Sequence, residues 1–219
     1  MKIQIDFIIP TIPPREHYLK RCLTAINNLA VPSGIEIVKN PIVISEKKSA
    51  GAQRNIALAR STGDYIYFID DDDIVLHNFF CSRMIENLTS GSLAVFFASE
   101  RYFQPSEDDM HHMVPDNFMW AVGRTIRTTT ELANIITPSF NPYPVGSYIL
   151  HKSFKDIRWP EAYTFGEDLG YNKMVCVSLS KKVRQLTYID EVKHITVRHA
   201  LSTTYAGKGK DMTWWQNQR

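Results

Sequence analysis

No apolar run in this sequence reaches about 18 residues, so no membrane-spanning helix is expected. The N-terminus has no basic lead followed by a sustained apolar stretch, because IDFIIP breaks at Pro10. A secretory leader is therefore not expected, and the expected location is cytoplasmic. Cysteine is scarce: Cys22, Cys81 and Cys176 are odd in number and show no CxxC spacing. That excludes a disulfide framework and fits free thiols in a reducing compartment. An excess of one charge sign is missing too. Twenty-five Lys and Arg face 23 Asp and Glu, and a net charge of +2 does not by itself imply a nucleic-acid partner. There is no internal repeat and no low-complexity tract.

What is present describes one globular unit. At 219 residues, 44% hydrophobic and 22% charged, the chain can bury one sizeable core, and a single domain over 1–219 is expected. Residues 3–9 form a β-branched apolar run ended by PTIPPRE, a strand and a loop. Leu19, Cys22, Leu23, Ile26 and Leu29 recur at helical spacing until VPSG. Residues 35–38 and 42–44 predict one or two short strands. Ser49 is placed to cap a helix through AGAQRNIALAR, residues 65–70 form a strand, 78–88 a helix and 93–98 a strand. This alternation predicts a mostly parallel sheet flanked by helices. From 100 to 147 the pattern is irregular apart from a short helix over 129–136. A strand at SYIL, a helix over 167–179, and strands near 183–189 and 195–197 follow.

The run YIYFIDDDDIV carries the chemistry. Asp70, Asp71, Asp72 and Asp73 stand in succession at the end of an apolar strand, where like charges repel. In an open parallel sheet, ligands bind beyond the carboxyl ends of the strands. Acids clustered there are tolerable when a divalent cation neutralises them, and an all-oxygen site suits Mg²⁺ or Mn²⁺. A solvated acidic turn is the alternative. The spaced acids, central Gly and terminal Glu of an EF-hand are missing.

In order along the chain stand FIIPTIPPRE, AGAQRNIALARSTGDYIYFIDDDDIV, GSYILHKSF, FGEDLGYN and VRHALSTT. This ordered set resembles the nucleotide-sugar glycosyltransferases of family 2, which have the GT-A fold. The resemblance implies a Rossmann-like nucleotide-sugar half over 1–99, a loop-rich acceptor and catalytic half over 100–200, and a tail over 201–219 as a candidate lid. It implies that Asp70 and Asp72 bind metal and the donor ribose-diphosphate, with Asp71 and Asp73 beside them in roles the sequence does not separate. Arg54 falls on the helix that approaches the nucleotide, and Pro10, Thr11 and Arg15 fall on the loop bordering its base. Asp168 falls on the catalytic-base position, with Glu167 as an acceptor ligand or positioning group. The pair also fits a bland role, because acids at a helix N-terminus favour the macrodipole. His199 falls where a late histidine completes the metal or diphosphate site, and His194 is its competitor. In the tail, Lys208 or Lys210 would meet phosphate and Trp214 or Trp215 would close the pocket.

The implied reaction is metal-dependent, inverting transfer of a sugar, with Mn²⁺ or Mg²⁺ as cofactor and a UDP-sugar as expected donor. The acceptor is a hydroxyl of a saccharide or other soluble molecule. A hydroxymethylated base in phage DNA is a further candidate, with Arg124, Arg127, Lys152, Lys155 and Arg158 meeting phosphates. One departure matters: the family's Asp after the second strand, which reads the nucleobase, is missing from IEIVKNPIVISEKKSAG, leaving Asn40 or Glu46 to substitute. Two rivals stand beside this reading. A haloacid-dehalogenase-like Mg²⁺ phosphatase also ends a strand in Asp-x-Asp, but on its first strand. A non-catalytic nucleotide-binding module would keep the fold without turnover.

Overall fold

The computed structural model describes residues 1–13, 15–104, 113–120, 123, 126–136, 144–161 and 167–199. Arg124 and the tail residues Lys208, Lys210, Trp214 and Trp215 lie outside them. Among these residues eight strands form one sheet: β1 (Lys2–Pro10), β2 (Glu36–Ile44), β3 (Tyr65–Phe68), β4 (Ile74–Val75), β5 (Ala94–Phe103), β6 (Val114–Trp120), β7 (Tyr148–His151) and β8 (Tyr188–Arg198). The helices are α1 (Glu16–Asn27), α2 (Ala50–Arg60), α3 (Ser82–Thr89), α4 (Thr129–Ile135) and α5 (Glu167–Ser180). The strand order is β2-β1-β3-β7-β5-β8-β4, with β6 paired to β5. β2, β1, β3, β5 and β8 point one way, while β7, β4 and β6 run against them.

The strands are apolar on both faces because both faces are covered. Along β1, Ile3, Ile5, Phe7 and Ile9 enter the core beneath Cys22 and Ile26 of α1 and Met84 and Leu88 of α3. Ile8 points the other way, into the core with Ala57 and Leu58 of α2, Leu132 of α4 and Tyr171 and Val175 of α5. One direction shared by β1, β2, β3 and β8 brings their carboxyl ends to one edge. Pro10 lies opposite Ile44, and Ile8 opposite Phe68.

Several boundaries differ from the sequence expectation. Of the one or two strands expected there, β2 is one, running through Asn40 and Pro41, since Pro41 costs no ladder bond a central strand would need: β2 is the sheet edge. The helix expected from residue 78 begins at Ser82, because Phe79 and Phe80 are buried in a turn closed by Phe79 N–H to Leu76 O (2.9 Å). The strands expected near 183–189 and 195–197 are the single β8, which absorbs irregular register against β5 near Ala98. β6 falls in the stretch whose sequence has no period. Ser49 does cap α2, its Oγ accepting from Ala52 N–H at 3.2 Å.

Candidate active site

The acids of residues 70–73 leave the end of β3 into the shared edge, and each meets different partners. Asp71 turns toward the β1 loop, where its Oδ2 accepts from the Thr11 hydroxyl (2.6 Å) and its Oδ1 from Arg15 (2.8 Å). Asp73 is held by β8, accepting from Val197 N–H (2.9 Å) and sharing a hydrogen bond with His194 Nε2 (2.9 Å). The β4–β8 pairing, Ile74 opposite Ile195, sets that contact. Gly146, at φ +88°, leaves room for the His194 ring, which a Cβ would approach to 1.8 Å. Asp72 lies 3.4 Å from Arg15 and shares a 2.8 Å hydrogen bond with His199 Nε2, just past the end of β8. The His199 ring stacks on Tyr18 at 4.2 Å. Asp70 pairs with Arg54 of α2 and keeps its side chain 39% exposed.

These surroundings split the run electrostatically. Burial would push the Asp72 carboxyl up, but Arg15 and the His199 hydrogen bond outweigh it and hold it down at about 2. Burial and neighbouring Asp72 push Asp71 up to about 6 against the pull of Arg15. Burial, then the charges of Asp72 and Asp70, raises Asp73 well above the carboxylate range, while burial pushes His194 down to about 3. Burial thus pushes Asp73 and His194 both toward their neutral forms, and Asp72 is the acid held lowest.

Asp70, Asp72 and Asp73 each present a carboxylate oxygen within 4.8 Å of the others. This all-oxygen set fits Mg²⁺ or Mn²⁺. His199 reaches the same Asp72, whereas His194 serves Asp73. The Arg54 guanidinium is buried and also donates to Glu167 Oε1 (3.2 Å) at the start of α5. Asp168 follows Glu167 in that first turn, its Oδ1 accepting from Leu169 N–H at 2.9 Å. So Pro10, Thr11, Arg15, Arg54, the four acids, Glu167 and His199 converge on one edge from five elements, and Asp168 follows Glu167 on α5.

Of the other candidates, Glu46 stands at this edge, while Asn40, Lys152, Lys155 and Arg158 do not join it. Asn40 lies mid-strand and donates to Asp6 Oδ1 (2.8 Å), away from the strand end. Glu46 lies just past the end of β2, and its backbone carbonyl accepts from Gln53 (3.1 Å). Lys152 and Lys155 follow β7, which runs against β3, so they stand at the opposite edge; Lys152 pairs with Asp64 at 3.1 Å. Arg158 donates to Asn55 O (3.4 Å). The sequence reading missed Arg21, which donates to Asp72 O (2.7 Å), and Gln53, which also accepts from Thr11 N–H (3.2 Å). Polar residues on helices beside a site carry no pattern that sets them apart from surface positions.

Residues 38–157, just over half of the chain, match the family model described as Glycosyl transferase family 2. Among solved structures, S. aureus TarS 1–349 matches with 16% identity and TM-score 0.58, over 89% of this chain and 60% of that one. Its complex with UDP matches with 13% identity and TM-score 0.57, over 90% and 61%. Its complex with UDP-GlcNAc matches with 15% identity and TM-score 0.60, over 95% and 62%. The chain thus spans about three fifths of the length of these structures, and at such identities the likeness is one of fold. No curated protein matches the sequence. The acids follow the third strand in chain order, unlike the first-strand layout of the rival phosphatase.

Proposed function

This chain belongs to glycosyl transferase family 2 and has the GT-A fold, and from that premise we propose that it transfers a sugar from a nucleotide-diphosphate donor to a hydroxyl acceptor with inversion. The observation that carries this reading is the Arg54 bridge. It joins Asp70, beyond β3, to Glu167, 97 positions later, so that the acid cluster and the Glu167–Asp168 turn share one cleft.

Thr11 and Arg15 hold Asp71 and thereby fix the loop after β1, on the side where the nucleotide would lie. Asp70, whose side chain keeps an open side, and Asp72, whose carboxylate lies within 4.8 Å of it, are the acids to hold Mn²⁺ or Mg²⁺, with His199 positioning Asp72. When bound, such an ion neutralises charge on the departing diphosphate. Asp168 takes the proton of the acceptor hydroxyl as its oxygen attacks the anomeric carbon, while the bond from that carbon to the diphosphate oxygen breaks on the opposite face. Glu167, held by Arg54, orients the acceptor or the base. The donor is read as a UDP-sugar, supported by the UDP and UDP-GlcNAc complexes of the similar fold. The acceptor is read as a saccharide rather than DNA, since Lys152 and Lys155 stand at the far edge.

Asp168→Asn is expected to lower kcat by about 10²–10⁴-fold with donor affinity unchanged. Loss of donor binding instead would contradict the role of base. A thermal-shift screen of nucleotide sugars with Mn²⁺ names the donor. Binding without turnover would favour the non-catalytic module, and phosphate-ester hydrolysis without nucleotide release would favour the phosphatase.

A further inference from the structure

The segment 158–161 lies between β7 and α5, and α2 clamps it. Asn55 accepts from Trp159 N–H (2.8 Å) and donates to Trp159 O (3.0 Å) and to Glu161 Oε1 (2.7 Å). Ser49 donates to Glu161 O (3.2 Å), and a Cβ at Gly51 would come within 2.7 Å of Pro160 O. The clamp seats the Trp159 indole in a layered stack. The Arg54 guanidinium lies 4.3 Å above its face, and the Tyr171 ring of α5 lies 4.1 Å away at an interplanar angle of 5°. Phe68, two residues before Asp70, meets both rings edge-on. Tyr171 stands one helical turn after Glu167, on the same side of α5.

Two carboxylates attract a guanidinium but do not fix its plane; a flat aromatic face does. Among the described residues the buried Nε of Arg54 has no hydrogen-bond partner that would help fix that plane. Trp159 Nε1 and Tyr171 Oη are buried and have no hydrogen-bond partner among the described residues either. Leaving such groups unsatisfied is costly, and apolar rings would fill the same space without that cost. This aromatic face lies directly beneath the residue that links both ends of the cleft.

We propose that Trp159 is a positioning residue, which sets the plane of Arg54 so that its two terminal nitrogens diverge to Asp70 and Glu167. It thereby fixes the spacing between donor end and base helix; this rests on the transferase reading above. Arg54 is then a strut rather than a free phosphate ligand.

The test is a double-mutant cycle with Trp159→Leu and Arg54→Lys, plus Trp159→Phe as the conservative variant. Each of the first two is expected to lower kcat about tenfold and raise the Mn²⁺ concentration for half-maximal rate, and together they do no more than Arg54→Lys alone. Trp159→Phe keeps most of the activity. Multiplying effects, or a lowered melting temperature with unchanged kcat and Mn²⁺ dependence, would overturn the proposal. Asn55→Ala, which unclamps the segment, replaces Trp159→Leu if that variant does not fold. Hydrogen exchange at the amides of 171–173 needs no substrate: Trp159→Leu and Arg54→Lys speed it and Trp159→Phe does not. Equal rates in all variants overturn the strut even if no nucleotide sugar is turned over, an outcome that by itself counts only against the transferase reading.

Discussion

Asp6 and the acids of residues 70–73, of which Asp71, Asp72 and Asp73 are buried, are carboxylates of one sheet satisfied in different ways. Asp6, in the middle of β1, accepts only from neutral donors. Its Oδ1 takes Asn40 (2.8 Å) and Gln4 (2.9 Å), and its Oδ2 takes Ser61 Oγ (2.7 Å) and the N–H groups of Thr62 (2.8 Å) and Gly63 (2.6 Å). Burial works to raise its pKa, but these hydrogen bonds win and hold it below the ordinary value. Such a carboxylate ties the turn before β3 to β1 and keeps no room for a ligand. At the strand ends, arginines join the neutral donors, Arg15 at Asp71 and Asp72 and Arg54 at Asp70, and the Asp70 side chain stays partly exposed. Burial of an acid is thus no mark of function; a cationic partner together with an open side is.

That contrast can be broken by substitution. The largest effect is expected from Asp70→Asn, which should lower kcat/KM by about 10²–10³-fold. Because the Asp70 side chain is partly exposed and the buried Arg54 keeps Glu167, the loss of stability should stay below that of Asp6→Asn, read by urea denaturation. Unfolding in place of lost turnover would erase the distinction from Asp6. Asp6→Asn should do the reverse, costing about 2–3 kcal/mol of stability and leaving Mn²⁺-dependent nucleotide affinity of the folded protein unchanged. Its pH dependence has a definite sign. The folded-state pKa lies below the unfolded value of 3.8, so the stabilisation is complete above that value and is lost as pH falls through the folded pKa. The stability gap between wild type and Asp6→Asn should therefore narrow in acid and stay constant above about pH 5. The smallest effect belongs to Asn40→Ala, about 1 kcal/mol from one lost hydrogen bond to Asp6. Nucleotide preference should not move; a changed preference would bring the middle of β2 into the base site.

Much of the fold was legible because two-sided burial writes itself as apolar runs, as in β1, β3 and the start of β5, and because Ser49 is a cap by chemistry. Edges were less so. Where Phe79 and Phe80 are drawn into the core, apolar spacing mimics an extra helical turn, and β8 reads as two strands because its polar middle, Asp190 to His194, includes half-exposed positions. In the site, residues 70–73 stood out by charge density and Glu167, Asp168, Arg54 and His199 by their place in an ordered set of motifs. Trp159, Gln53 and Arg21 did not, since each acts through a neighbour distant in sequence.

The amino-acid order by itself determined that four acids end a buried strand and that an Arg-Asn helix precedes them, because strand, helix and cap preferences are local. Which acid does what was decided only by the tertiary structure. The common direction of β1, β3 and β8 brings Arg15, Arg54 and His199 to one edge, and partners up to 127 positions apart then separate four adjacent, chemically identical carboxylates. Long-range pairing alone can do that, since neighbours in a run of identical residues share every local property.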